Sequence, residues 1–385
     1  MTMDALRVLV VGGYGGFGGR LVDLLLSDNV PDILVAGRSL ERARVFCDSR
    51  AGAPTPVVLD RSVCCRAVLE KTGPDIVVDA AGPFQCYGER RFSLIETCID
   101  LGINYLDLAD GRAFVCGVGR FDAQAQARGV FVLSGTSSVP ALSSAAIRVL
   151  TLGLDKVERI DIGITPAGGV SMGINVMRAI LSYAGRPVDI REDGAWRTRY
   201  CWTDLHRKQL SVSDSDRLNR RFFSLCDVPD LELWPQRFPD IGSVRFSAAL
   251  EPAFLHFGMA ALAWLVRLGV VPRPQALAPM LHRVAKWMPS GVAKGGMFVR
   301  VTGQGGTDGM TAKQWSLIAD GDHGPNIPAM AAAAVVAKMR GGWCPEPGAR
   351  ACTDELDLSD FEPQFAKFDI RTSIRKVIEP DVHHA

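Results

Sequence analysis

Residues 8–19 read VLVVGGYGGFGG, and the helix-like stretch GRLVDLLLSD occupies 19–28. An apolar, β-branched run thus breaks into glycines spaced Gly13-x-Gly15-x-x-Gly18 and opens directly into a helix. Glycine serves there first for a tight turn, then so that bare backbone can approach a pyrophosphate, and last so that helix and strand pack closely. The helix N-terminus supplies unpaired N–H groups and a partial positive charge. Tyr14, Gly16 and Phe17 lie within the same turn and belong to the expected cofactor contact. Three spaced glycines recur by chance in a chain with 39 of them. Here the strand before, the helix behind and a second strand at 33–36 provide the βαβ context that the motif requires.

Twenty residues beyond Gly18, where an NAD-binding unit carries a carboxylate for the ribose 2′-hydroxyl, stands Arg38. The segment VAGRS (35–39) offers its guanidinium and the Ser39 hydroxyl, and Arg42 follows one helical turn later. A planar donor fork suits a 2′-phosphate, which favours NADP(H) over NAD(H). The competing readings are a solvated arginine at a strand end and the nearby carboxylate of Glu41.

At 385 residues, 48% of them hydrophobic, the chain is long enough for two domains. Lys plus Arg (43) nearly cancels Asp plus Glu (42), and no basic stripe with interleaved aromatics appears, so nucleic acid is not an expected partner. Ten cysteines without a C-x-x-C spacing read as reduced thiols of a cytoplasmic protein, with no metal site. The first strand begins within a few residues of the N-terminus, leaving no room for a signal peptide. The run 253–271, AFLHFGMAALAWLVRLGVV, is interrupted only by the ionisable groups of His256 and Arg267. It reads as a core or interface helix; membrane contact through it is conceivable but disfavoured by the flanking prolines, two glycines and two polar groups.

Continuous apolar strands at 7–11, 33–36, 56–59, 75–79, 104–107 and 130–134 alternate with helical stretches such as 88–101 and 113–128, as in a doubly wound parallel sheet covered on both faces. Beyond 135 the texture changes. A short helix (141–150) leads into 157–165, 244–250, 297–302 and 314–319, the last two flanking a glycine-rich hairpin loop. The fold class is α/β: an N-terminal Rossmann domain (1–135) and a second domain (136–324) of α+β type on a mostly antiparallel sheet. The alanine-rich helix 328–340 and the rest of 325–385 are expected to pack back on the first domain, and the polar stretch 211–221 is a candidate mobile insertion.

The fourth strand ends DIVVDAAGPFQCYGER (75–90), and GINYLDLADGRAF follows at 102–114. With the GGYGGFGGR opening and VAGRS, these motifs resemble the saccharopine dehydrogenase-like oxidoreductase family. The likeness is strong over 1–150 and thinner through SVPALSS (138–144), DGAW (193–196) and HGPNIP (323–328). It implies an NADP(H)-dependent Rossmann domain joined to a catalytic and dimerisation domain, and hence a homodimeric oxidoreductase acting on a small molecule. The family spans opine-type amino acid dehydrogenases, polyamine-precursor reductases and lipid-linked enoyl reductases, so it specifies hydride chemistry better than substrate.

The residues at the fourth strand agree. Ala80, Ala81 and Gly82 permit close approach of pyrophosphate and ribose, Pro83 fixes the turn, and Phe84 could flank the nicotinamide. AAGP could also be only a strand-ending turn. Asp60, after the third strand, could contact adenine or cap the following helix. For proton transfer the candidates are Tyr105, Asp110 and His323, with Tyr87, Asp107 and Cys86 in reserve. Asp110 sits one position off the family's pattern, and an aspartate in LADG also suits a cap or turn. His323 lies in a rigid DHGP loop and titrates where catalysis needs it, although a surface histidine would look alike. The expected activity is NADP(H)-dependent hydride transfer to or from a C=N or C=O group of amino acid or imine type. The alternatives are a lipid-handling enoyl reductase and a non-catalytic NADP-binding sensor or scaffold.

Overall fold

The computed structural model describes residues 6–63, 65–168, 173–285, 293–305 and 309–377. The chain divides into two compact units, 1–142 with 326–364, and 143–325 with 365–385.

The first unit is built on β1 (Arg7–Val11), β2 (Asp32–Gly37), β3 (Thr55–Val58), β4 (Ile76–Asp79), β5 (Asn104–Asp107), β6 (Phe131–Ser134) and β15 (Gly348–Ala351). Their order is β15-β6-β5-β4-β1-β2-β3, with every pairing parallel. This is the doubly wound arrangement expected. The chain reverses direction of travel across the sheet between β1 and β4, the position where open α/β sheets bind ligands. Helices cover both faces, so Val8, Leu9 and Val10 are fully buried although consecutive residues point to opposite sides.

Three local readings need correction. The seventh strand, GARA, has no β-branched residue and was not legible; it is held by parallel pairing to Phe131–Ser134. The helix expected over 113–128 is broken into Arg112–Val115, a 3₁₀ turn Val118–Phe121 and Asp122–Arg128. A Cβ at Gly117 would lie 2.8 Å from the Ala113 carbonyl oxygen and 2.9 Å from the Phe92 ring, so the junction between the first two pieces has no room for a side chain. The third concerns the tail, which divides. The helix Ile327–Arg340, ten of whose residues are buried, packs in the first unit against the helix Gly16–Ser27, where Arg20 donates to Asn326 Oδ1 at 3.0 Å. The last strand, β16 (Ile370–Val377), instead belongs to the second unit, because it zips onto an open sheet edge there.

That second unit carries β7 (Lys156–Thr165), β10 (His206–Lys208), β11 (Arg221–Leu225), β12 (Ser243–Ala248), β13 (Lys294–Gln304) and β14 (Met310–Asp320). With β16 they form one sheet in the order β10-β11-β12-β7-β13-β14-β16, antiparallel except for β12 with β7. A two-stranded ribbon, β8 (Pro187–Glu192) with β9 (Ala195–Tyr200), forms a separate sheet whose turn is tied to the start of β12 by Gly194 N–H donating to the Gly242 carbonyl at 2.8 Å. Phe298 lies opposite Gly163 across the β13–β7 pair and fills the space a side chain there would need, joining a core with Leu210, Leu218, Phe223 and Ile318. The stretch 211–221 is no loose insertion. Ser211 bridges to Arg217, Leu218 and Arg221 are buried, and Asp216 pairs with Lys294 and Arg371. The hairpin loop expected between β13 and β14 falls partly on 306–308, outside the described residues.

The apolar run 253–271 forms the helix Ala253–Arg267. Among the described residues no helix is long and apolar enough to cross a membrane.

Candidate dinucleotide site

At the carboxyl end of β1 the chain turns through Gly12, whose φ of +75° lies in the left-handed region that favours glycine. The turn-forming glycine is therefore Gly12, one residue before the motif's first glycine; the doublet Gly12-Gly13 was the available signal. Gly12 N–H donates to Ala36 at 2.8 Å, and Gly15 N–H donates back to Gly12 at 2.8 Å. A Cβ at Gly12 would meet the Ala81 Cα at 2.7 Å, so the β1 turn and the β4 turn are pressed together, backbone on backbone. At Gly18 a Cβ would sit 2.2 Å from the Gly12 carbonyl oxygen; this glycine lets the helix Gly16–Ser27 close onto the strand end.

That helix starts with Gly15 as its N-cap, no side chain capping it and no acid in its first turn. Among the described residues no side chain caps its first N–H groups, and Gly15 and Gly16 are exposed. An anion fits such an end on both hydrogen-bonding and dipole grounds. Space beside Gly16 is open, with nothing within 4 Å of a built Cβ.

Tyr14 extends from the turn across the end of β2. Its ring occupies the space above Gly37, its hydroxyl accepts from Ser39 N–H at 3.0 Å, and the Arg42 guanidinium lies 5.0 Å from the ring centroid. Arg38 is exposed at the same strand end. Ser39 caps the helix Leu40–Asp48, accepting from Arg42 N–H at 3.3 Å, so its hydroxyl already has a local partner. Asp60 accepts from the Ser62 N–H and hydroxyl at 3.0 and 2.6 Å. Those bonds, and more weakly Arg38, hold its carboxyl below the ordinary range. It forms a turn and does not cap the next helix, which starts at Arg66 after Cys65.

Beneath the β4 turn lies a charged cluster that the sequence reading missed. Asp79 is fully buried, ion-paired to Arg61 Nε at 3.2 Å, and accepts from the Tyr87 hydroxyl at 3.3 Å and from Ala81 N–H at 3.0 Å. The Arg61 guanidinium stacks 3.3 Å from the Tyr87 ring centroid. Burial raises the Asp79 pKa, with Arg61 opposing, and burial together with the Asp79 charge pushes the Tyr87 phenol up. Through Ala81, Asp79 fixes the backbone that abuts Gly12, which makes it a positioning residue. The signal available was a carboxylate ending an apolar run: IVVD at 76–79, and again NYLD at 104–107.

Asp107, beside Asp79 in the β4–β5 register, is also fully buried. Its Oδ1 accepts from Gly135 N–H at 2.8 Å, Ala109 N–H at 3.0 Å and the Ser134 hydroxyl at 3.0 Å, while Oδ2 has no hydrogen-bond partner among the described residues. Burial, opposed by those bonds, pushes its pKa up to about 7.

Of the other expected site residues, Ala81 lies in the β4 turn with Gly82 and Pro83 beside it, all three half-buried. Phe84 turns its ring into the core against Tyr87 (4.9 Å) and Phe114 (5.1 Å). Tyr105 is fully enclosed in the same unit. Asp110 is exposed and accepts from Gln85 Nε2 at 2.9 Å. His323 belongs to the second unit, where its Nδ1 accepts from Asp369 N–H at 3.0 Å beside the Phe368 ring.

A parallel doubly wound sheet with a bare glycine turn at its switch point defines a dinucleotide-binding domain. Residues 8–133 match the family model described as the saccharopine dehydrogenase NADP binding domain, and this part of the chain is a saccharopine dehydrogenase-like, nicotinamide dinucleotide-binding domain. Among solved structures, saccharopine dehydrogenase (L-Glu forming) from Saccharomyces cerevisiae shares the fold, at 13% identity over 97% of this chain and 100% of that one, with a TM-score of 0.65. Amine dehydrogenase from Mycobacterium smegmatis aligns at 12% identity over 91% and 96% of the two chains, with a TM-score of 0.42. No curated protein sequence matches the chain.

Proposed function

We propose that the protein is an NADP(H)-dependent oxidoreductase that moves a hydride between the nicotinamide and a C=N or C=O carbon of an amino acid- or imine-type small molecule. The observation that carries the reading is the uncapped helix start behind Gly15, closed against Gly12 at a separation no side chain at position 18 would tolerate. The backbone N–H groups of 15–18 would hold the pyrophosphate, and Ala81 and Gly82 the ribose side of the turn. Arg38 and Arg42 would take the 2′-phosphate, with Tyr14 between turn and cations. The cofactor supplies the hydride. The protein's part is to orient it, exclude water and deliver a proton.

For the proton, His323 is the proposed donor. The Asp369 N–H bond occupies Nδ1, so Nε2 is the nitrogen left for proton exchange, and the imidazolium that donates forms only when the Nδ1 bond opens. Asp110 is a proposed second acid at the surface of the first unit, whereas the full enclosure of Tyr105 supports packing. In an assay that follows NADPH oxidation, His323→Ala is expected to lower kcat by about 10²-fold or more while leaving NADPH affinity unchanged. Unaltered turnover would remove its role.

Cofactor choice has its own test. Fluorescence titration of Arg38→Ala is expected to weaken NADPH by about 10-fold or more, the loss of a charge-assisted phosphate contact. NADH affinity should stay where it is. Equal affinities of parent and variant for NADPH would place the 2′-phosphate elsewhere.

A further inference from the structure

The helix Ala253–Arg267 is seated the wrong way round for a protein surrounded by water alone. Its inward positions are His256, Ala260, Ala263 and Val266, all buried. Its outward stripe is Phe254, Phe257, Ala261, Trp264, Leu265 and Leu268, at helical spacing, and the five large side chains are 42–70% exposed. The seating is fixed at both ends. His256 accepts from Leu250 N–H through Nδ1 at 3.3 Å and shares a 2.9 Å hydrogen bond with Ser224. At the other end a Cβ on Gly185 would lie 2.2 Å from the Ala263 carbonyl oxygen, so the buried face is in backbone contact. The hydrophobic effect would cover the larger apolar face, and a contiguous exposed stripe of this kind marks an interaction surface.

What covers it follows from charge. Residues 252–307 contain no aspartate or glutamate. The stripe's borders carry arginines tied to it by contact. Arg267 lies over the rings of Trp264 and Tyr200. Arg207 lies over Phe222, which packs on Phe257, and Arg186 donates to the Pro272 carbonyl at 2.8 Å just past the helix. A second copy related by a two-fold axis would bring these cations together with no carboxylate from this segment to meet them. A layer of anionic headgroups over hydrocarbon satisfies both features, and Trp beside Arg is the side-chain pair that settles at such a boundary. At 15 residues the helix is only about 22 Å long, shorter than a bilayer's hydrocarbon core, so it would lie in the surface plane.

We propose that the outward stripe Phe254, Phe257, Trp264, Leu265 and Leu268, bordered by Arg186, Arg207 and Arg267, docks the protein on the surface of an anionic lipid bilayer. The test is flotation of the full chain with vesicles of phosphatidylcholine alone and of phosphatidylglycerol mixed with phosphatidylcholine. The protein is expected to float with the mixed vesicles, to be released by high salt, and to bind neutral vesicles far less. Trp264→Glu with Leu268→Glu should abolish flotation, and Arg267→Glu should weaken it by about fivefold or more. Val45→Glu, at an exposed apolar site in the other unit, should leave it unchanged. Circular dichroism and NADPH titration of each variant report folding separately, so loss of lipid binding is distinguishable from loss of the dinucleotide site. Failure to float, or flotation that survives the double substitution, overturns the proposal. So does a dimer in sedimentation that the double substitution dissociates, which would assign the stripe to a second copy.

Discussion

Gly18→Ala is expected to abolish dinucleotide retention and to destabilise the first unit, by about 1–3 kcal/mol for a clash that the surroundings must absorb. The added methyl would sit 2.2 Å from the Gly12 carbonyl oxygen, 2.8 Å from its carbonyl carbon and 3.0 Å from the Gly13 Cα. All three are backbone atoms, so no rotamer change relieves the contact. Gly12 cannot retreat either, because its own Cα faces Ala81 across the turn, and Asp79, tied to Arg61, holds Ala81 in place. The helix N-terminus must therefore swing away from the strand, carrying its N–H groups out of register with a pyrophosphate. Gly16→Ala is the internal control, since it meets nothing within 4 Å and lies in the helix's first turn. It should be at least as stable as the parent. The two variants are compared by denaturant unfolding and by NADPH titration. Full-affinity binding by Gly18→Ala would show that the turn is not the phosphate cradle.

Much of this unit was legible because the positions of its strands and helices follow from periodicity. Six apolar runs separated by helical stretches leave few arrangements for a parallel sheet, and the glycine spacing marks which strand is central. What escaped depended on partners distant in sequence. GARA becomes a strand only because β6 offers an unpaired edge. The tail divides because Ile370–Val377 finds β14, a pairing that no local propensity encodes. Asp79 reads as one polar residue after IVV, and nothing near it announces that Arg61 and Tyr87 will converge on it. Likewise the helix 253–267 is legible as a helix, but which face turns inward depends on Ser224 and Gly185.

Asp107 provides a test of how deeply the strand edge is buried. Its folded-state pKa is about 7 against an ordinary value of 3.8, so between those values the folded protein binds a proton that the unfolded chain has released. The stability associated with that proton is complete below about pH 4 and is lost as pH rises through 7. Three units correspond to on the order of 4 kcal/mol, an upper figure because the neighbouring Asp79 titrates with it. Asp107→Asn retains a carbonyl oxygen for Gly135, Ala109 and Ser134 but does not ionise. Its amide nitrogen takes the place of Oδ2, which has no hydrogen-bond partner among the described residues, and that carries a fixed cost at every pH. The cost cancels in the quantity to be measured, the change with pH in the stability difference between variant and parent. From pH 4 to pH 8 that difference should shift in favour of the variant by on the order of 4 kcal/mol, read from denaturant midpoints at constant slope. Parallel pH profiles would mean that Asp107 ionises at its ordinary value and that water reaches the β5 end. A shift of the expected sign would leave the strand edge dry, so that a hydride acceptor held against it would meet protons only from side chains placed to supply them.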